Sequence, residues 1–301
     1  MTKHRIAKFF VVAAAILALP ALSMAGTDAK ESKEVQSVVE KAKETWITGD
    51  LGVSVVSEFI ARGFTVEDKG VIAQPYADLY FKLYEGEGFL NKISFNLGLW
   101  SSLHSHVQPA AETSSTRNWF EFDYTAGLAF TFDKNFTATA SYFEFDFPSD
   151  VLGTARSLNL KLAYDDSDAL GPFALHPHAA VLYELGAPGH AGLRANGWYY
   201  EIGIAPAYVF GKGNPYAVTF TVPVAVGLGD HRFYAGDTFG YVAAGAQLAV
   251  PLAFIPGKLG TWTLSGGYTY WHLGDNAAIL GSLASTDPDR HVFQGAIGLT
   301  F

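Results

Sequence analysis

The stretch HVFQGAIGLTF, residues 291–301, decides how the rest of this chain is interpreted. Mostly large apolar residues stand at every second position from Phe293 to Phe301, and they alternate with residues such as Gln294 and Thr300. Because successive side chains of a β-strand point to opposite faces, this pattern predicts a strand with one apolar face. On the edge of an open sheet such a strand would promote aggregation. The exposed apolar edge is avoided if this strand closes a barrel and its apolar face contacts lipid.

The first 25 residues have the organisation of a secretory signal peptide. They begin with basic residues, continue with an apolar run shorter than the ~20 residues of a spanning helix, and end on a small-x-small motif at Ser23–Ala25. We expect cleavage before Gly26 and a mature chain that acts outside the cytoplasm. Loss of three basic residues lowers the formal net charge from −9 to −12, which argues against nucleic-acid binding.

Residues 26–49 differ from everything after them. Apolar residues recur at helical spacing between Lys and Glu residues, which predicts a short amphipathic helix; they are Val35, Val38, Val39, Ala42 and Trp46. It could plug the lumen or bind a periplasmic partner, or it could pack against the periplasmic rim or be partly disordered. We therefore divide the chain into a signal peptide (1–25), a periplasmic or lumen-associated helix (26–49) and a barrel (50–301).

From residue 50 onward the sequence alternates with period two in about twelve blocks. Aromatic residues are 15% of the chain, charged residues are 16%, and no later apolar run approaches the length of a transmembrane helix. This combination predicts an all-β, antiparallel transmembrane β-barrel of the bacterial outer membrane. The blocks are 51–64, 71–84, 92–103, 118–132, 136–147, 155–165, 176–186, 197–210, 215–228, 239–253, 260–273 and 291–301.

Connection lengths distinguish a membrane barrel from a soluble β-sandwich. The third, seventh, ninth and eleventh connections are long, whereas four even-numbered connections are short turns such as DKN at 133–135. Outer-membrane barrels have long extracellular loops and short periplasmic turns, so the alternation has the expected phase. The sixth connection, DDSDALGPFAL at 165–175, is long for its position.

Outward aromatic residues fall at both ends of the predicted strands, as in the interfacial girdles of membrane barrels. The periplasmic set is Phe132, Phe136, Tyr164, Phe210, Tyr216 and Phe301, and the opposite set is Phe120, Phe122, Trp198, Tyr200, Tyr268, Tyr270 and Phe293.

Two kinds of local irregularity are expected in the strands. Prolines inside the blocks should bend or bulge the strands, and the phase slips near Tyr142–Phe143, which predicts a β-bulge. The prolines are Pro75, Pro206, Pro223 and Pro251.

No catalytic arrangement stands out in the sequence, and we expect no enzymatic activity. The pairs His104/His106 and His176/His178 would point both rings to one side of a strand, but no carboxylate lies beside them at a recognisable spacing. DDSDALG at 165–171 lacks the late Glu of a calcium loop and is expected to be a solvated turn. The chain has no cysteine, so a lipoprotein anchor, disulfides and Cys-ligated cofactors are excluded. We expect no metal and no cofactor.

Charged side chains are expected to line the lumen. Carboxylates predominate towards the extracellular half, which would attract cations, since rings of carboxylates favour cations in pores. Alternatively, these charges pair across neighbouring strands and fill the lumen. The expected lumen-lining residues are Glu58, Arg62, Asp78, Lys82, Glu121, Asp123, Glu144, Asp146, Lys161, Glu184 and Glu201.

The segment VVSEFIARGFTVEDKG, residues 55–70, resembles the start of the bacterial Gcw_chp-type family. Ser57, Glu58, Phe59, Arg62 and Gly63 carry the match. That family consists of predicted outer-membrane proteins of undetermined function, so the resemblance implies location and topology and adds no activity.

The sequence therefore favours an outer-membrane channel for passive diffusion of small hydrophilic solutes, with a modest cation preference. A non-conducting scaffold or adhesin-like barrel is the alternative, favoured if loops cover the mouth and the lumen charges pair off. A lipid-modifying barrel enzyme comes third. Expected partners are outer-membrane lipid, lipopolysaccharide and the outer-membrane assembly machinery, because the final strand ending at Phe301 resembles the signal by which such proteins are recognised for assembly. No oligomeric state is predicted.

Overall fold

A computed structural model describes residues 45–185, 196–280 and 282–301 of the protein. The predicted signal peptide and residues 26–44 of the predicted amphipathic helix lie outside these ranges. Residues 47–49, which the sequence placed in that helix, belong to the first strand instead. Within the described residues, every helix is too short or too polar to cross a bilayer.

The described residues form sixteen strand segments and two short α-helices. The helices are α1 (Ser167–Leu170) and α2 (Asp275–Leu280). The strands are β1 (Ile47–Val56), β2 (Phe59–Ala61), β3 (Phe64–Glu67), β4 (Ile72–Glu85), β5 (Leu90–His104), β6 (Trp119–Phe132), β7 (Phe136–Asp146), β8 (Ala155–Tyr164), β9 (His178–Glu184), β10 (Trp198–Ile204), β11 (Ala207–Phe210), β12 (Val218–Thr221), β13 (Val224–Gly229), β14 (Phe239–Pro251), β15 (Thr261–Leu273) and β16 (Asp289–Thr300).

Fourteen of these segments form one antiparallel sheet that closes on itself. Successive wall strands pair with each other, with β10 next to β13, β11 next to β12, and both β12 and β13 next to β14. β1 pairs with both β4 and β16. The closing register joins Asp50 to Thr300 and Val56 to Gln294. Because β10–β11 and β12–β13 are each two halves of one strand, the wall contains twelve strands. The predicted twelve-stranded barrel, closed by the strand that ends the chain, is confirmed.

Prolines explain the two interrupted wall strands. Pro206 separates β10 from β11, and Pro223 separates β12 from β13, as expected for a residue that cannot donate to the ladder. β4 continues through Pro75, although residues 74–75 have no partners in β5. The predicted bulge near Tyr142–Phe143 is wrong, because β7 pairs with β6 without any register shift.

Loops and turns divide the barrel into two ends. The long-loop end carries residues 57–71, 105–118, 147–154, 185–197, 230–238 and 274–288, of which 186–195 and 281 are not described. The short-turn end carries 86–89, 133–135, 165–177, 211–217 and 252–260. Residues 165–177 are extended by α1, which accounts for the long sixth connection.

Side chains alternate between an apolar outer face and an inner face that is polar towards the short-turn end. On β5, Leu97 and Leu99 are exposed on the outside, whereas Asn96 is buried inside. Tyr164 and Phe210 are exposed near the short-turn end, and Trp198 near the long-loop end, in keeping with two aromatic girdles. Phe120 does not belong to the outer girdle, because a register shift at β5–β6 turns its side chain inward, where it is 2% exposed.

The outer face predicts the effect of a charge placed against lipid. Leu97→Arg should lower the free energy of unfolding by about 2–4 kcal/mol, as charges at the bilayer midplane do in membrane barrels. Thr125→Arg, one position away across the β5–β6 pair but facing the lumen, should cost much less. Urea unfolding in phospholipid vesicles measures both values. Equal losses would contradict the assignment of inner and outer faces.

Candidate functional site in the barrel lumen

The first connection of the barrel folds back into the lumen. After β1 the chain forms a separate two-stranded sheet of β2 and β3, joined by a tight turn at Arg62 and Gly63. Both turn residues have positive φ, 47° and 90°, the geometry of a type I′ hairpin. We call residues 58–68 the inserted hairpin. It contradicts the prediction that Glu58 and Arg62 lie on the first wall strand, because that strand ends at Val56.

The inserted hairpin is buried on both of its faces. Phe59, Ile60 and Thr65 have no exposed surface, and Glu67 is 1% exposed. A two-stranded hairpin on the outside of a protein would expose one face, so burial on both faces requires surrounding protein on all sides. The surrounding protein is the inner wall of the barrel together with its long loops.

Apolar packing fills the lumen around the hairpin. Phe59 lies 5.5 Å from Trp100 and 6.3 Å from Phe120, measured between ring centroids. Phe64 lies 6.0 Å from Phe233 and 5.5 Å from Tyr234. The long-loop half of the barrel therefore has a hydrophobic core, as in a soluble protein, where a water-filled channel was expected. The remaining members of this core include Val56, Val66, Ile72, Tyr199, Tyr241, Trp271 and Leu273.

Three long loops close over the hairpin through its backbone. The Tyr234 hydroxyl donates to the Arg62 carbonyl oxygen at 2.8 Å, and the Gln108 amide donates to the Val66 carbonyl oxygen at 2.6 Å. The backbone N–H of Leu283 donates to the Thr65 carbonyl oxygen at 2.9 Å. These bonds satisfy backbone groups that would otherwise be buried without partners.

Arg62, at the tip of the hairpin, faces a group of buried carboxylates. Its Nη1 donates to Glu184 Oε1 at 3.2 Å, and its Cζ lies 5.0 Å from the centre of the Phe145 ring. Its charge also acts on Glu121 and Asp123, which are 3% and 0% exposed. One guanidinium thus acts on three buried acidic groups, and burial makes each interaction stronger than it would be in water.

Arg290 on β16 holds the two ends of the hairpin together. Its Nη2 lies 2.7 Å from Glu58 Oε2 and 3.3 Å from Asp68 Oδ2, so one guanidinium bridges the residues that enter and leave the hairpin. Burial raises the pKa of Glu58, while the positive charge of Arg290 acts in the opposite direction. The clamp therefore compensates a carboxylate that is costly to bury.

Glu67 connects the hairpin to the third connection. Its Oε2 lies 3.0 Å from His106 Nδ1 and 3.8 Å from His104 Nδ1, and its Oε1 accepts the backbone N–H groups of Asp68 and Lys69. His104 also stacks on Phe120 at 4.7 Å. The two histidines considered as a metal pair thus contact a carboxylate that the sequence did not place beside them.

Other inward charges lie among polar neighbours. Glu201 accepts hydrogen bonds from the hydroxyls of Tyr199 and Tyr241 and lies 3.7 Å from His178 Nε2. In the short-turn half, Lys82 Nζ lies 2.6 Å from Glu85 Oε2. Asp78 and Lys161 face inward on β4 and β8, alongside polar residues such as Asn96, Thr139 and Asn159.

Glu144 and Asp146 do not line the lumen, which corrects the sequence prediction for both. They share the outer face of β7 with Tyr142, and Glu144 pairs with exposed Arg156 at 2.9 Å. The prediction depended on the bulge that is absent. Phe143 and Phe145 take the inward positions instead and are 1% and 4% exposed.

Sequence reasoning did not find Glu67, Asp68, Tyr234 or Arg290 as parts of the site. One signal was available, since Arg62–Gly63 lies between two alternating apolar pairs and Gly favours the positive φ of a hairpin turn. The partners Tyr234 and Arg290 are far away in the sequence and carry no local signal.

The DDSDALG turn brings together Asp165, Asp166 and His176, whose potential ligand atoms lie within 4.8 Å of one another. Asp166 accepts the backbone N–H groups of Leu175 and His176, and Asp165 accepts that of Ser167. The backbone bonds lower the pKa of Asp166, although its partial burial acts in the opposite direction. These bonds account for the arrangement as a hydrogen-bonded turn.

The chain is similar to several solved structures of outer-membrane proteins, at low sequence identity. An outer membrane channel from Pseudomonas putida F1 is 12% identical, with coverage of 86% of this chain and 97% of the other and a TM-score of 0.49. The NanC porin is 12% identical, with coverage of 84% and 98% and a TM-score of 0.45. The β domain of the Bordetella autotransporter BrkA is 9% identical, with coverage of 85% and 98% and a TM-score of 0.43.

Neither a family model nor a curated protein matches the sequence. The resemblance of residues 57–63 to the Gcw_chp-type family therefore has no support from these comparisons.

Proposed function

We propose that the protein is a porin-like barrel of the bacterial outer membrane whose lumen is closed at rest by the inserted hairpin. Small hydrophilic solutes, cations preferentially, pass when the hairpin leaves its seat. One observation carries the proposal: residues 59–67 are packed inside the wall, within a hydrophobic core that fills the long-loop half. Water and ions have no favourable path through such a core.

Three features support the location. The wall formed by the described residues closes on itself, its outer face is apolar, and aromatic residues are exposed near both ends. By the general topology of outer-membrane barrels, the long-loop end is extracellular and the short-turn end periplasmic. Outer-membrane lipid, lipopolysaccharide and the barrel-assembly machinery are the partners that this location implies, and we propose no catalytic activity.

Ionic contacts suit a plug that can be released. The tip and the base of the hairpin are both held by arginine–carboxylate pairs, at Arg62–Glu184 and at Arg290 with Glu58 and Asp68. When the hairpin leaves its seat, the charged groups of these pairs can regain hydration from water in the lumen, which offsets part of the lost ionic contacts. Apolar contacts gain no such compensation when they are exposed to water. Behind the plug, the short-turn half already presents polar side chains to a permeating solute.

The second candidate is a non-conducting scaffold. The same closure and the pairing of Arg62, Glu184, Arg290 and Glu58 favour it. The two functions differ in what happens when the hairpin is displaced: a channel then conducts, and a scaffold does not.

Recordings of the purified protein in planar bilayers test the closed resting state. We expect no steady conductance from the wild-type protein, with only rare, brief openings at high applied voltage, because the hairpin must leave its core before ions can pass. Heat-modifiable migration on gels should verify that the recorded protein is folded. A large, steady conductance in the wild type would overturn the proposal.

A further inference from the structure

We propose that the inner wall opposite Arg62 is a binding site for small organic cations that carry a guanidinium group, and that Arg62 is its tethered occupant. The proposal rests on the proposed function and names its solute class. In the closed state the hairpin supplies the guanidinium itself. In the open state the vacated site would take one from a solute.

The site is a contiguous patch on four neighbouring wall strands. Asp123 on β6 pairs in register with Phe145 on β7, and Ser157 on β8 pairs in register with Glu184 on β9. Glu121 lies two residues before Asp123 on the same strand. All five side chains face inward and are buried. We call them the carboxylate recess.

The recess contains more acceptors than Arg62 uses. The Ser157 hydroxyl and Nη2 of Arg62 have no hydrogen-bond partner among the described residues, and the carboxyl group of Asp123 interacts with the neighbouring Glu121 carboxyl rather than with Arg62 at hydrogen-bond distance. Asp123 is fully buried and points into the recess beside a second acidic group, so its carboxyl group carries a large desolvation cost. Such a cost is relieved by a ligand that brings several donors and a positive charge.

The shape of the recess selects a planar cation. The Phe145 ring lies 5.0 Å from Arg62 Cζ, a distance at which a guanidinium is attracted to an aromatic ring. Carboxylates on two sides match the fork of N–H donors that a guanidinium presents, which a spherical ammonium lacks. The recess is therefore better suited to guanidinium compounds than to amines or inorganic cations.

The backbone conformation at Arg62 also indicates that arginine is present for the contacts of its side chain and not for the conformation of the turn. A φ of 47° is uncommon for a residue other than Gly, Asn or Asp, and a type I′ turn favours those residues. Arginine stands there against the local preference. Its side chain brings a positive charge to a recess that contains three acidic side chains.

The variant Arg62→Gly tests the recess without disturbing the turn. Glycine favours positive φ, so the hairpin keeps its conformation while the guanidinium is removed. Agmatine, which carries one guanidinium, is titrated by calorimetry into the full-length protein in detergent. We expect saturable binding to one site in Arg62→Gly and none in the wild type, whose recess is occupied.

Matched variants assign the binding to the recess. Adding Asp123→Asn or Glu184→Gln to Arg62→Gly should weaken agmatine binding at least about tenfold, because each replaces a carboxyl group of the recess by an amide. Adding Glu144→Gln, a carboxylate on the outer face, should change nothing. Urea has the shape of guanidinium without its charge, and it should not bind at the same concentrations.

Absence of saturable binding to Arg62→Gly would overturn the proposal, and so would binding that survives Asp123→Asn and Glu184→Gln together. If Arg62→Gly loses heat-modifiable migration, Arg62→Asn replaces it, since Asn–Gly is also favourable in this turn. The titration needs no ion flow. A wild-type barrel that conducts would therefore refute the closed resting state of the proposed function. The calorimetric titration would still show whether the recess binds a guanidinium compound.

Discussion

Replacing residues 59–67 by a Gly-Ser-Gly linker is expected to convert a silent barrel into a steadily conducting one. Glu58 and Asp68 already lie together against Arg290, so a short linker can join them without distorting the wall. The replacement removes Phe59, Ile60, Phe64 and Val66 from the hydrophobic core, and water can then fill the space that they occupied. Conductance in planar bilayers measures the effect. A folded variant that stays silent would favour the scaffold function.

The opened barrel should prefer cations. Without the hairpin, Glu121, Asp123, Glu184 and Glu201 face the lumen with Arg62 gone, and carboxylates between low-dielectric walls concentrate cations. Reversal potentials under a salt gradient should show the preference at 0.1 M salt. It should fade at 1 M, where the screening length is only ~3 Å.

Two pairs of neutral substitutions in the hairpin-less protein provide the control. Glu121→Gln with Asp123→Asn should reduce the cation preference, because both side chains face inward. Glu144→Gln with Asp146→Asn should not, because both lie on the outer face. An anion preference in the hairpin-less protein would refute a carboxylate-lined mouth.

Period-two alternation was sufficient to predict the wall because each wall strand separates two different environments. Leu97 and Leu99 lie on the apolar outer face, whereas Asn96 lies on the polar inner face. The polarity of a residue in the sequence therefore indicates which face of the wall it occupies. The alternation of long loops and short turns then predicted which connections lie at each end of the barrel. The same signal also located the closing strand, whose partner β1 is 250 residues away along the chain at the Asp50–Thr300 pair.

The inserted hairpin escaped prediction because a strand inside a barrel alternates as a wall strand does. Phe59 and Ala61 continue the pattern of β1, so residues 51–64 read as one block. Periodicity identifies a strand but does not say what it packs against. The turn at Arg62–Gly63 gives a local indication of the hairpin.

The error at Glu144 and Asp146 has the same origin. A lumen that is polar throughout predicts that the charged side chains of β7 face inward. The hairpin gives the long-loop half of the lumen a hydrophobic core, and aromatic residues are therefore stable inside it. At that end of the wall, the outward carboxylate Glu144 pairs with Arg156 and accepts a hydrogen bond from Tyr142.

Removing the Arg290 clamp is expected to cause a large loss of stability. Arg290 is 8% exposed and contacts both Glu58 and Asp68. Arg290→Met keeps much of the side-chain volume but leaves two neighbouring carboxylates without a counter-charge, and breaking a buried ion pair in this way typically costs about 3 kcal/mol or more. Urea unfolding in phospholipid vesicles at pH 7 measures the loss. Arg156→Met, which breaks the exposed pair with Glu144, should change stability little.

The loss in Arg290→Met should depend on pH with a definite sign. Burial raises the pKa of Glu58 above 4.5, Arg290 lowers it, Asp68 raises it and His291 lowers it, so without Arg290 the pKa rises further. A carboxyl group with a raised pKa in the folded state binds its proton more tightly there than in the unfolded chain. Its contribution to stability is complete below about pH 4 and is lost as the pH rises through the folded-state pKa. The deficit of Arg290→Met relative to the wild type should therefore be small at pH 4 and large at pH 7. A deficit that is the same at both pH values would mean that Arg290 acts through packing rather than through its charge.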